Sequence, residues 1–392
     1  MFSIYYETNS KGVTNMYKIA TLNKISKVGL DLLTSDYAVI DDVNEAEGIL
    51  VRSQDMHSME LSEELLAVAR AGAGVNNIPL DKCADQGVVV FNTPGANANA
   101  VKELVISGLF LAARNIPKAL TWAASLDENV SAAVEKGKSQ FAGTEILGKT
   151  LGVVGLGAIG RKVAASARAL GMEIVGYDPY YTAGGEGISV YTDLTEMLPL
   201  CDYVTIHVPA MDSTKGMFNK DLFACMKDQA VLLNFSRDKL VNDVDLLVAL
   251  ETGKLGCYVT DFPNDALVGR ENVVLLPHLG ASTAEAEDNC ASMAVEQIMD
   301  YFNNGNIRNS VNFPAVDLGP LETGSRLSFL TKGMENPVEE IKEMLVGGEL
   351  EITKAAGGVK GEYGYVLLET NAKDLPVLFF KNPKIIRYRA ID

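Results

Sequence analysis

Two hydrophobic rhythms alternate along the chain. Short continuous apolar runs are followed by stretches in which apolar residues recur every three or four positions. The first rhythm fits strands buried on both faces, and the second fits helices packed against them. Strands are predicted at Met16–Leu22, Gly48–Val51, Gly87–Phe91, Leu151–Val154, Met172–Tyr177, Tyr203–His207, Ala230–Asn234, Cys257–Thr260 and Asn272–Leu276. Helices are predicted near Ser62–Arg70 and over Asn99–Ala113, Arg161–Leu170 and Asn242–Thr252. Another starts at the capping pattern Ser282-Thr-Ala-Glu285 and ends near Asn304, before Gly305. The expected fold class is α/β, with two doubly wound parallel-sheet domains.

The second domain is expected to be inserted in the first. Residues 16–98 and 278–310 form one domain and 99–277 the other, because the helix ending at Asn304 reads as a return crossover. The helix Asn99–Ala113 reads as a spine between them, and Asp127–Lys149 reads as polar and irregular. Prolines and glycines make 306–324 a linker stretch, with its boundary placed at 311. A third unit, 325–392, reads as βαββαβ. Its strands are Arg326–Thr331, Leu350–Ala356, Tyr363–Thr370 and Lys384–Ala390, its helix is Pro337–Val346, and a shorter helix falls near Asp374–Phe380. Residues 1–15 read as an extension outside the fold.

The run Leu151-Gly-Val-Val-Gly-Leu-Gly-Ala-Ile-Gly160 is the most informative stretch. It places Gly155, Gly157, Ala158, Ile159 and Gly160 between a strand and a helix, the context a dinucleotide fingerprint requires. The glycines serve the tight turn, the approach of backbone to pyrophosphate, and helix–strand packing. The helix N-terminus then offers N–H groups to the phosphates. Asp178 closes the next strand about 20 residues on, where a carboxylate accepts the ribose hydroxyls of NAD and repels the extra phosphate of NADP. A glycine-rich turn in an ordinary α/β core is the plain alternative.

Composition changes the picture little. The 392 residues are 47% hydrophobic and 22% charged, which fits a globular protein. The net charge of −17 argues against a nucleic-acid or anionic-membrane surface. Any anionic substrate therefore needs a local basic cluster. Cys83, Cys201, Cys225, Cys257 and Cys290 are widely spaced, which suggests reduced thiols in a cytoplasmic protein. No apolar run approaches a membrane span, and no metal cluster is predicted.

The candidate chemistry rests on one of the three histidines, with an arginine and an aspartate. His278 follows the strand Asn272–Leu276 and can serve as a base. Arg237 follows Ala230–Asn234 and can hold a carboxylate. Asp265 follows Cys257–Thr260 and can pair with His278. Taken singly, these fit a satisfied core histidine, a surface ion pair and an Asx turn. Together they describe hydride transfer from a 2-hydroxy acid. His207 reads as a wall on the cofactor side, and His57 as a solvated loop residue.

The segments Leu50-Val-Arg-Ser53, Ala69-Arg-Ala-Gly-Ala-Gly-Val-Asn-Asn77, Asn92-Thr-Pro-Gly-Ala-Asn97, Gly148–Gly160 and Pro277-His-Leu-Gly-Ala-Ser-Thr283 resemble the D-isomer-specific 2-hydroxyacid dehydrogenases. Within that family the chain is most similar to the phosphoglycerate branch with a C-terminal ACT domain. The resemblance covers Met16 to the end. It implies a Rossmann NAD domain inserted in a flavodoxin-like substrate domain. It implies His278 as acid/base, Arg237 as carboxylate clamp and Asp265 as carboxylate partner. It implies a substrate site of Arg52, Ser53, Arg70, Gly74 and Asn97, with the two arginines on the phosphate of a small phosphorylated 2-hydroxy acid. NAD would also meet His207, Pro209, Ser236, Asp261 and Gly280. A homodimer or homotetramer assembled through an arm at 99–149 is implied too.

The chain departs from the pattern in three places. The family glutamate is Asp265, one methylene shorter. Ala-Arg-Gly-Gly is replaced by Ser236-Arg237-Asp238-Lys239. The His-x-Asn-x-Pro pattern for a serine effector is replaced by Gly333-Met-Glu-Asn-Pro337, so the resemblance does not extend to serine binding there. A hydroxypyruvate or glyoxylate reductase, and an NAD-sensing binding protein of the same fold, remain as alternatives.

Overall fold

The computed structural model describes residues 16–181, 187–345, 350–373, 375 and 382–392. The extension 1–15 and the helix expected near Asp374–Phe380 lie outside them. The chain divides into two compact units, one holding residues up to Asn97 and from Glu287 onward, the other Ala98–Ala286.

The first unit is built on five parallel strands: β1 (Tyr17–Leu22), β2 (Tyr37–Ile40), β3 (Gly48–Val51), β4 (Ala67–Arg70) and β5 (Val89–Phe91). Their order is β2-β1-β3-β4-β5, a flavodoxin-like arrangement. One face packs on the helix Ala284–Asn304, whose Ala291, Ala294, Val295, Ile298 and Phe302 join Ile19, Leu50 and Phe91 in one core. Thr283, rather than Ser282, caps that helix by accepting from Ala286 N–H.

The expected helix near Ser62–Arg70 is a turn followed by strand β4. The run Ala67-Val-Ala-Arg70 is short and almost wholly buried, so its local pattern fits helix and strand equally. Pairing with β3 and β5 decides it. A short helix at Leu80–Asp85 went unpredicted.

The expected linker is packed structure. Val311 N–H donates to Val90 O, and the Asn312 side chain both accepts from Val90 N–H and donates to Val88 O, so 310–312 closes the outer edge of β5. Phe313 and Val316 are buried.

The second unit has seven parallel strands: β6 (Thr150–Val154), β7 (Glu173–Tyr177), β8 (Ser189–Tyr191), β9 (Tyr203–Ile206), β10 (Ala230–Asn234), β11 (Leu255–Thr260) and β12 (Val273–Leu275). The order β12-β11-β10-β9-β6-β7-β8 reverses between β6 and β9, the switch point at which such sheets bind ligands. Cores lie on both faces. The stretch expected to be irregular contains the helix Val130–Gly137 and a 3-10 turn, Lys138–Phe141. A further helix, Ile116–Ala124, precedes it. Left-handed Asn115 and Asn129 punctuate these short helices, which the polar composition disguised.

The terminal sheet holds β13 (Ser325–Lys332), β14 (Ile352–Lys360), β15 (Tyr363–Thr370) and β16 (Ile385–Ile391), antiparallel in the order β14-β15-β13-β16. It belongs to the first unit. Arg326, fully buried, donates to the carbonyls of Asn304, Leu318, Gly319 and Pro320 and to the Glu369 carboxylate. Arg389 donates to Tyr301 O and Phe302 O and lies 4.7 Å from the Tyr301 ring centroid. Both arginines thus satisfy carbonyls at or just beyond the C-terminus of the long helix, the end that favours cations.

Candidate active site

The glycine turn follows β6 in the second unit. Gly155 has φ +98, and a Cβ there would sit 2.7 Å from His207 O, so both conformation and space require glycine. A Cβ on Gly160 would strike Gly155 O. Gly157 is different: a Cβ there would meet no atom within 4 Å, and Gly157 and Ala158 are exposed while Ile159 is half-buried. Among the described residues nothing opposes a side chain at Gly157, and the space before the helix Ala158–Ala169 is open. That fits a pyrophosphate against the helix N-terminus. Asp178 accepts from Leu156 N–H and Tyr180 N–H, both at 2.8 Å, which ties the end of β7 to the turn.

The remaining candidates in this unit lie just beyond the C-terminal ends of adjacent strands. After β9, a His207 ring nitrogen is 3.0 Å from Thr205 Oγ1, while Nδ1 is buried without a partner among the described residues. Burial lowers its pKa from 6.5 to about 3. Pro209 is exposed, and its carbonyl accepts from Thr214 Oγ1. After β10, Ser236 Oγ donates to Val208 O at 2.7 Å. Arg237 is exposed and donates from Nη1 to Ser236 O, which leaves further N–H groups on the guanidinium. Asp238 and Lys239, which replace the family glycines, do not take positive φ. Buried Asn234 holds this loop from beneath by donating to Arg237 O at 2.8 Å. Sequence reading had not singled out Asn234, and its position in an apolar strand was the available signal.

After β11 and β12 the structure separates the two aspartates. Asp265 is exposed. The Asx turn there is formed by Asn264, whose Oδ1 accepts from Ala266 and Leu267 N–H. Asp261, 1% exposed, lies beside the histidine loop instead: its Oδ2 accepts from Gly280 N–H at 2.8 Å and its carbonyl accepts from His278 N–H at 2.9 Å. Burial raises the Asp261 pKa, against the Gly280 N–H and the charges of His278 and Arg237. His278 is exposed, and its ring centroid lies 4.9 Å from that of Phe262, also unforeseen.

In the first unit, Arg52 and Ser53 follow β3, Arg70 ends β4, and Asn97 lies in the segment after β5. Arg70 Nε donates to Arg52 O at 3.0 Å, and Arg52 pairs with Glu287 at 2.7 Å. Ser53 N–H donates to Asn23 Oδ1, while Gly74 and Asn97 are half-buried. His57 is exposed, 3.1 Å from Asn76 O.

The chain as a whole is similar to known proteins. Residues 106–280 match the family described as D-isomer specific 2-hydroxyacid dehydrogenase, NAD binding domain. A D-3-phosphoglycerate dehydrogenase of Synechocystis is 32% identical over 391 residues, covering 93% of this chain and 67% of that protein. The chain belongs to the D-isomer-specific 2-hydroxyacid dehydrogenase family. The second unit thus carries the NAD-binding domain of a 2-hydroxyacid dehydrogenase. A D-3-phosphoglycerate dehydrogenase of Rattus norvegicus is 38% identical over 293 residues, 71% of this chain and 53% of that protein, so the chain spans about half the length of that relative. Among solved structures, NAD+-bound 3-phosphoglycerate dehydrogenase of Entamoeba histolytica matches with a TM-score of 0.63 and 25% identity, covering 76% of this chain and 99% of that one. A glyoxylate/hydroxypyruvate reductase of Sinorhizobium meliloti, at 24% identity and a TM-score of 0.65 over 76% of this chain and 97% of that one, shares the fold.

Proposed function

We propose that this 2-hydroxyacid dehydrogenase oxidises D-3-phosphoglycerate to 3-phosphohydroxypyruvate with NAD, the entry step of phosphorylated serine biosynthesis. The observation that carries the substrate is the arginine pair: Arg52 and Arg70 stand at the exits of neighbouring strands, in a chain whose net charge of −17 otherwise repels phosphate. Bound NAD supplies the hydride acceptor. His278 takes the substrate hydroxyl proton on a ring nitrogen, and Arg237 grips the substrate carboxylate with its uncommitted N–H groups. Asp178 accepts the ribose hydroxyls. Arg52 exchanges Glu287 for the phosphate. Ser53, Gly74 and Asn97 complete the substrate side, and His207, Pro209, Ser236, Asp261 and Gly280 line the cofactor side.

The terminal sheet is read as an ACT-like domain without a serine site, and residues 99–149 as the arm of a homodimer or homotetramer in the cytoplasm. Among the described residues no helix is long and apolar enough to cross a membrane. NAD reduction at alkaline pH with a panel of 2-hydroxy acids tests the substrate. Arg52→Ala is expected to weaken phosphoglycerate by roughly 10–100-fold, the size of a lost charge-assisted contact, with glyoxylate and lactate unchanged. An unchanged preference overturns the phosphate assignment.

A further inference from the structure

His278 is held in an unusual backbone conformation. Its φ is +50, in the left-handed region that only a few per cent of non-glycine residues occupy, histidine more readily than most. One residue does much of the holding. Asp261 receives His278 N–H on its main-chain oxygen and Gly280 N–H on its carboxylate, so both ends of the 278–280 turn are tied to a single buried side chain and its backbone. Leu276 N–H donates to Thr260 O one step earlier, extending the strand register into the turn. The fit at the far end is close: a Cβ on Gly280 would lie 3.1 Å from Asp261 Oδ2.

We propose that Asp261 is the positioning residue for His278, setting the backbone from which the base reaches substrate, and that Asp265 does not share this task. The inference rests on the reading of His278 as the base and adds to Asp261 a role beyond lining the cofactor. A carboxylate acceptor holds a backbone N–H more strongly than a neutral one. Loss of this tie frees the turn, and a misplacement of about 1 Å in a catalytic group costs on the order of 10²-fold in rate.

The test is hydrogen exchange at the amides of 277–283 in the ligand-free protein, together with steady-state kinetics. Asp261→Ala keeps the main-chain acceptor of His278 N–H and removes that of Gly280 N–H; it is expected to speed exchange at Gly280 by about tenfold or more and to lower kcat by about 10²-fold, with KM for the hydroxy acid changed far less. Asp261→Asn, which retains a side-chain acceptor, is expected to restore most of both. Asp265→Ala should leave exchange as it was. Should Asp261→Ala fail to fold, Gly280→Ala carries the test: its methyl pushes on Asp261 Oδ2 and is expected to speed exchange at the same amide. Unchanged exchange in Asp261→Ala or Gly280→Ala, or an equal effect of Asp265→Ala, overturns the proposal. Exchange is read without substrate, so its outcome is independent of which hydroxy acid the enzyme takes.

Discussion

The exits of β9–β12 and the joint between the long helix and the terminal sheet are both rich in polar groups, and they treat them in opposite ways. At the joint, Arg326 and Arg389 point inward and spend their N–H groups on carbonyls and a carboxylate of the same unit. At the strand exits, Arg237 and His278 are exposed, while Asp261 Oδ1 and His207 Nδ1 are buried without partners among the described residues. Folding alone seldom leaves buried polar atoms unpaired. Tyr301 OH at the joint is also buried without a partner among the described residues, so the difference lies in the charges themselves: turned inward at the joint they hold the architecture, and turned to solvent at the strand exits they are open to a ligand.

The sharpest test of that contrast is His278→Ala. Turnover should fall roughly 10²–10⁴-fold, with the NAD dissociation constant unchanged by fluorescence titration. Equal loss of both would make His278 architectural. Arg326→Met should act in reverse. It leaves several buried carbonyls without a donor and Glu369 with Lys354 as its remaining partner, and denaturant unfolding should report a loss of about 3–5 kcal/mol with NAD affinity intact. A loss below about 1 kcal/mol would erase the distinction. A third test uses acid. His207 ionises more readily unfolded, near 6.5, than folded, near 3, so its neutral form favours the native state. Its contribution is fully present above about 6.5 and declines as pH falls toward about 3, by up to about 1.4 kcal/mol per unit. His207→Gln should flatten that part of the stability–pH curve. The smallest expected effect is at Asp178, where Asp178→Ser should narrow the preference for NAD over NADP by about tenfold.

Most strands and the glycine turn were legible because their signals are local, whereas β2 and β8, four and three residues long, were not. β6, the turn and the helix Ala158–Ala169 are consecutive, and each glycine answers to atoms nearby. Legibility failed where pairing across the fold decides. Ala67–Arg70 is a strand because β3 and β5 flank it, which no window of its own residues reveals. The segment 311–324 has the composition of a linker, yet Phe313 is buried and Asn312 hydrogen bonds with backbone more than 200 positions earlier. The inward turn of Asp261 was illegible for a third reason: Asp265 lies only four residues further on. Both follow β11, and only the path of the chain after Thr260 decides which carboxylate turns inward.

The closing of β5 by 310–312 also bears on how the protein behaves in a crowded solution. An outer strand with free N–H and C=O groups is a template for another chain. Here the amide of Asn312 imitates a neighbouring strand's backbone, accepting from Val90 and donating to Val88. The sheet stops growing at that side because one side chain occupies the position where a stranger's peptide bond would bind.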